Sequence, residues 1–129
     1  MPTMLHLPAS LLELRVLAGR QAGARARLDP AQELLVCGLN AANQADTQFA
    51  DILLASEVDF QIRVIPFGTG RVNLQLISGQ AVLGDRALLP GTTLHPWAPG
   101  QPLQLGDVRV AYGPADQDHW PEPVLHDGL

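Results

Sequence analysis

The sequence contains no lysine, one cysteine and few aromatics, which make up 5% of its residues. All eight basic residues are arginine, a bias that reflects composition rather than mechanism. Cys37 stands alone, so an internal disulfide is excluded and a reducing compartment is the simpler expectation. Within "LLVCGL" it reads as a small buried apolar residue rather than a nucleophile. The formal net charge of −5 argues against nucleic acid and anionic membrane surfaces, because neutralising phosphates takes clustered cations. No apolar run approaches the ~18 residues that would cross a bilayer. The opening "MLHLPASLLELRVL" has no basic leader and is broken by Pro8, Glu13 and Arg15, so it does not read as a secretory signal.

What is present is one domain's worth of chain. The 129 residues, 47% hydrophobic and 16% charged, suit a single globular unit able to bury a core without staples. Twelve glycines and eleven prolines punctuate short alternating runs. Residues 12–19, "LELRVLAG", set Leu12, Leu14, Val16 and Ala18 on one face and Glu13, Arg15 and Leu17 on the other. That is the period of a half-buried strand. "GRQAG" then turns the chain into "ARARL", a hairpin with Arg25 and Arg27 outward. "ELLVCGL" (33–39) and "FADILL" (49–54) read as strands flanking a polar loop. "QIRVIP" (61–66) places Ile62 and Val64 on one face, and "RVNLQLIS" (71–78) does the same with Val72, Leu74 and Leu76. Residues 80–91 predict a hairpin at Gly84-Asp85, and 101–113 a strand, a Gly-Asp turn and a strand with Val108, Val110 and Tyr112 on one side. About eleven short strands with such punctuation predict an all-β sandwich.

Residues 114–129 differ in composition. They hold three prolines and four acids with no arginine, whereas residues 1–113 carry 9 acids against 8 arginines. The expected organisation is an N-terminal extension over 1–11, the sandwich over 12–113, and an acidic, proline-stiffened linker over 114–129 that leads towards a further segment.

Sites of chemistry are scarce. Asp29, Asp46, Asp51, Asp59, Asp85 and Asp107 sit in turns, where aspartate bonds nearby backbone. His6, His95, His119 and His126 show no metal-binding spacing. "GTG" at 68–70 is too short for a phosphate loop. Trp97, before the turn "APG", is expected to pack on the sandwich. The reading is a non-enzyme with no cofactor and no metal.

The order of segments resembles a forkhead-associated (FHA) domain over about residues 12–113. It comprises a strand ending in G-x-x-x-G, an apolar strand meeting a glycine, "ADILL", an acidic turn, "QIRVI", then "VLGDRAL" and "LQLGDVRVAYG". In that family the third strand ends in Gly-Arg, and the arginine grips a phosphothreonine. The pair here is Gly38-Leu39. The family's Ser-x-x-His falls on Asp59-Phe60-Gln61-Ile62, and its Asn-Gly on Gly84-Asp85. The phosphopeptide positions are thus degenerate at Leu39, Asp59, Ile62 and Gly84. Leucine offers no side-chain donor and aspartate repels phosphate. Arg63 is the nearest compensating cation in sequence.

The opening "LELRVLAGRQAGARARLDP" and the closing "PGQPLQLGDVRVAYGPADQDHWP" look like the cytoplasmic domain of the YscD/HrpQ family. These are inner-membrane ring proteins of the bacterial type III secretion system. The resemblance implies a scaffold on the cytoplasmic face of the bacterial inner membrane, followed by a transmembrane segment. It implies docking to cytoplasmic sorting-platform proteins and assembly with other copies of the ring protein, without phosphothreonine, nucleic acid or a small-molecule substrate. Leu39, Asn40, Asn43, Asp59 and Phe60 are the expected contact residues, because loops carry binding; another face remains open. The alternative is a phosphopeptide-binding FHA adaptor from another secretion or signalling protein.

Overall fold

The computed structural model describes residues 12–30, 32–39, 51–67 and 70–120. Among these are eleven strands and no helix. In chain order they are β1 Leu12–Ala18, β2 Arg25–Leu28, β3 Leu34–Leu39, β4 Ile52–Ala55, β5 Phe60–Phe67 and β6 Arg71–Ser78. The remainder are β7 Ala81–Leu83, β8 Arg86–Leu88, β9 His95–Trp97, β10 Leu103–Leu105 and β11 Val108–Pro114. They form a six-stranded sheet ordered β2-β1-β11-β10-β7-β8 and a five-stranded sheet ordered β4-β3-β5-β6-β9.

Alternation decides which side chains meet between the sheets. Leu14 and Val16 of β1, Leu103 and Leu105 of β10, and Val108, Val110 and Tyr112 of β11 point inward. Facing them are Ile62 and Val64 of β5 and Val72, Leu74 and Leu76 of β6. Ile62, Leu74 and Leu76 have no exposed area, so the alternation in "QIRVIP" and "RVNLQLIS" reports the core face. Trp97 packs edge-on against Tyr112 with ring centroids 4.8 Å apart. The Tyr112 hydroxyl donates to the Trp97 carbonyl at 2.6 Å, and the indole N–H donates to the Gln101 carbonyl at 2.8 Å. Both polar tips are therefore satisfied inside the sandwich.

Two features depart from simple hairpins. β3 and β4 run parallel, Val36 opposite Ile52 and Leu39 opposite Ala55, so the two strands are not a hairpin. The Leu35 N–H bonds the Asp51 carboxylate at 2.8 Å and the Asp51 N–H bonds the Leu35 carbonyl, which pins the start of β4 to β3. In β1 the register against β11 slips between Val16 and Ala18, leaving Leu17 as a bulge on the outer face.

β11 extends to Pro114, one residue past the expected edge of the sandwich, and residues 115–120 return onto the first sheet. Among the described residues no helix is long and apolar enough to cross a membrane.

Candidate functional site

Strand direction gathers four connections at one end of the sandwich. These are the β1–β2 turn, the β4–β5 loop Ser56–Asp59, the β6–β7 turn at Gly79-Gln80 and the β10–β11 turn at Gly106-Asp107. The Asp107 carboxylate organises them. It accepts from the Ser56 hydroxyl at 2.8 Å and from the Glu57 N–H at 3.0 Å. Ser56 Oγ in turn accepts the Val58 N–H at 3.1 Å. The Ser56 hydroxyl, followed by the Glu57 N–H, holds the Asp107 carboxyl below the usual aspartate value. From the β1–β2 turn, Gln21 Oε1 accepts the Ala55 N–H at 2.7 Å and Arg20 pairs with Glu57 at 3.0 Å.

The loops are also pressed together sterically. Gly79 has φ +89°, and a Cβ there would lie 2.7 Å from the Asp59 carbonyl and 2.8 Å from the Phe60 Cα. A Cβ on Gly106 would strike Val58. Glycine is required at both places by close approach.

A phosphate receptor needs unspent N–H or cationic donors. Here the Glu57 and Val58 N–H groups are spent on Asp107 and Ser56. The exposed side chains of the loop are Glu57, Val58 and Asp59, and Arg20 answers Glu57 rather than facing solvent unpaired. Among the described residues, the Ser56–Asp59 loop is acidic and its Glu57 and Val58 donors are turned inward.

The sequence-expected residues divide. Leu39 and Asp59 come to this end: the Leu39 backbone lies opposite Ala55, and Asp59 is exposed beside Gly79. Asn40 and Asn43 lie outside the described residues. Phe60, expected on the contact surface, is 1% exposed and sits against Gly38, so its ring belongs to the core. Ile62 is wholly buried in β5. Gly84 is at the opposite end, because β7 runs away from the Gly79 turn and Leu83 meets Leu103 at the start of β10. Its N–H bonds the Pro102 carbonyl at 3.0 Å. Arg63 lies on the outer face of the second sheet, paired with Glu33 at 3.6 Å beside the start of β3. Cys37 is buried, as its apolar setting suggests.

A second feature escaped the sequence reading. Glu13 and Arg15 do point away from the core, yet both are buried, with Arg15 Nε 2.6 Å from Glu13 Oε2. The cover is the chain beyond β11. Arg15 donates to the carbonyls of Gln117 and Asp118, and its guanidinium lies 3.8 Å from the centroid of the Trp120 ring. The indole N–H bonds the Pro114 carbonyl at 2.9 Å. Gly113 makes the slot: a Cβ there would meet the indole at 2.7 Å. Beside this strap a cleft of about 690 Å³ opens, lined by Leu17, Arg25, Pro102, Arg109, Ala111 and Trp120 among others. The signal available in sequence was the small outward pair Ala111 and Gly113 on β11.

No family model matches the chain, and no curated protein matches it. Solved structures do. The FHA domain of CT664 from Chlamydia trachomatis superposes with a TM-score of 0.64 at 20% identity, covering 80% of this chain and 96% of that one. The cytoplasmic domain of the type III secretion sorting platform protein PscD from P. aeruginosa gives 0.51 at 16% identity, covering 89% and 92%. The yeast Dun1 FHA domain, solved with a doubly phosphorylated peptide, gives 0.57 at 10% identity, covering 100% and 94%. The fold is therefore the FHA β-sandwich.

Proposed function

We propose that this FHA-fold domain is a docking module of a bacterial type III secretion apparatus. It would be the cytoplasmic domain of an inner-membrane ring component that engages sorting-platform proteins without phosphothreonine recognition. The opening and closing stretches that resemble the YscD/HrpQ family, and the likeness to the PscD cytoplasmic domain, support the setting. The observation that carries the reading is the acidic Ser56–Asp59 loop. The Glu57 and Val58 N–H groups are spent on Asp107 and Ser56, and the loop presents Glu57 and Asp59 where a phosphate would need cations. Ser56 fits a structural role, since its hydroxyl donates to the Asp107 carboxylate and its oxygen accepts the Val58 N–H.

Calorimetric titration of the 129-residue chain with a phosphothreonine peptide library tests this directly. The reading expects no saturable binding. Saturable binding at micromolar concentrations, lost on dephosphorylation, would instead favour the phosphopeptide adaptor represented by the Dun1 complex.

A further inference from the structure

The outer face of the first sheet concentrates positive charge on an acidic protein. The chain has eight arginines and a net charge of −5. Four of the eight, Arg15, Arg25, Arg27 and Arg109, lie on this one face: Arg15 is opposite Arg25 on β1 and β2, Arg27 is two residues on, and Arg109 is across from the bulge on β11. Among the described residues that line the cleft the acid is Asp118, and Glu13 is buried beneath Arg15.

Three of the four, Arg15, Arg25 and Arg109, line the cleft and have different duties. Arg15 is spent on Glu13, two strap carbonyls and the Trp120 ring, so it builds the wall of the cleft. Arg25 shares Glu13 at 3.4 Å with its side chain 54% exposed, leaving donors turned to solvent. Among the described residues, Arg109 bonds a neutral partner, Gln104 Oε1, at 3.0 Å, and no carboxylate. Arg25 and Arg109 both line the 690 Å³ cleft, whose apolar surface comes from the Leu17 bulge, Pro102, Ala111 and Trp120.

We propose that this cleft docks an acidic, partly apolar extended segment of a protein partner. Carboxylates would be taken by the guanidinium forks of Arg25 and Arg109, and an apolar side chain would lie against Leu17 and Pro102. Guanidinium pairs with carboxylate in bidentate geometry, and the open donors here number two residues, too few for a polyanionic nucleic acid. The volume exceeds what a single carboxylate or phosphate fills and lies in the range of ligand-holding clefts. Charge complementarity confined to one face also orients the partner, since the rest of the surface is acidic on balance. The inference rests on the docking reading and adds its surface, the outer face of the first sheet, which reaches Gly23 of the β1–β2 turn.

The test uses the 129-residue chain and a short fluorescein-labelled peptide alternating Glu and Leu, with its Lys–Leu counterpart as control. Anisotropy should show saturable binding of the acidic peptide alone, weakening with added salt. Arg25→Glu and Arg109→Glu should each weaken it about tenfold or more, the loss expected for a charge-assisted pair. Arg109→Gln, which keeps the amide partner and adds no charge, should weaken it less, and guards against a reversal that disturbs the sheet. Arg63→Glu, on the other sheet, should leave it unchanged. No binding to the unaltered chain, equal loss in Arg63→Glu, or displacement by equimolar inorganic phosphate would overturn the proposal. So would sedimentation showing that Arg109→Glu disrupts a dimer of this chain, because the face would then be taken by a second copy. Any of these failures, with phosphothreonine binding still absent, removes this surface and leaves the docking reading intact.

Discussion

Arg15 on β1 and Trp120 beyond β11 are stacked, the guanidinium 3.8 Å from the indole centroid, and this contact closes the outer face of the first sheet over a buried Glu13–Arg15 pair. A charged pair with side chains 10% exposed is stabilised mainly by keeping both partners.

Arg15→Ala should therefore cost about 3 kcal/mol, since it strands Glu13 with only Arg25 at 3.4 Å. Trp120→Ala should cost less, about 1–2 kcal/mol, by losing the cation–π contact and its share of burial. Urea denaturation of both single variants and the double variant should show clear non-additivity, because the two residues share one contact. Additive losses would mean that the strap contributes independently of Arg15.

The core alternation carries its own test. Ile62→His places a polar ring at a position with no exposure and should destabilise by about 1–3 kcal/mol beyond the lost packing if its nitrogens stay unpaired. Leu74→Ala should cost about 2–5 kcal/mol. Denaturation midpoints barely moved by either change would contradict the inward facing of β5 and β6.

These strands were legible because a period of two identifies a core face without knowledge of partners. The Gly84-Asp85 and Gly106-Asp107 turns were legible for the same local reason. Other elements were not. β9 is three residues long with Pro96 at its centre, which reads as a turn; it survives because it pairs only with β6 at the sheet edge. The parallel pairing of β3 with β4 leaves no local mark. Phe60 falls in the core and Gly84 at the opposite end from Asp59, because a motif position does not say which end of a sheet, or which face, receives it. The strap was missed because its acids, set in a proline-bearing stretch, match a linker. Its anchor, Arg15, is also 103 residues away from Asp118.

Gly79→Ala should loosen the loop end. With φ +89° and the Asp59 carbonyl 2.7 Å from where a Cβ would sit, the change forces a backbone shift, and a loss above about 1 kcal/mol is expected. Amide exchange at Phe60 should quicken relative to Leu74, which lies deeper in the sheet. Unchanged exchange would show that the turns do not brace one another.

Acid and alkali should act on different residues. The Asp107 carboxyl is held low, so its stabilising contribution is present above the unfolded value of 3.8 and is lost as pH falls through the lower folded value. Asp107→Asn should flatten the fall in urea midpoint over that acid range. Burial pushes the Tyr112 hydroxyl up from 10.0 to about 12, so its contribution is full below 10.0 and is lost as pH rises towards 12. Tyr112→Phe should remove that alkaline decline while lowering stability at neutral pH, where the bond to the Trp97 carbonyl is missing.

Phosphate independence is the centre of the account, and a partner protein reports on it most directly. Binding of the proposed sorting-platform partner to this domain should be measured before and after phosphatase treatment, and again with that protein's threonines changed to valine. Unchanged affinity in all three states is the predicted result. Loss of binding on phosphatase treatment, matched by the valine variant, would contradict the acidic Ser56–Asp59 loop, with its inward donors, as the basis of function.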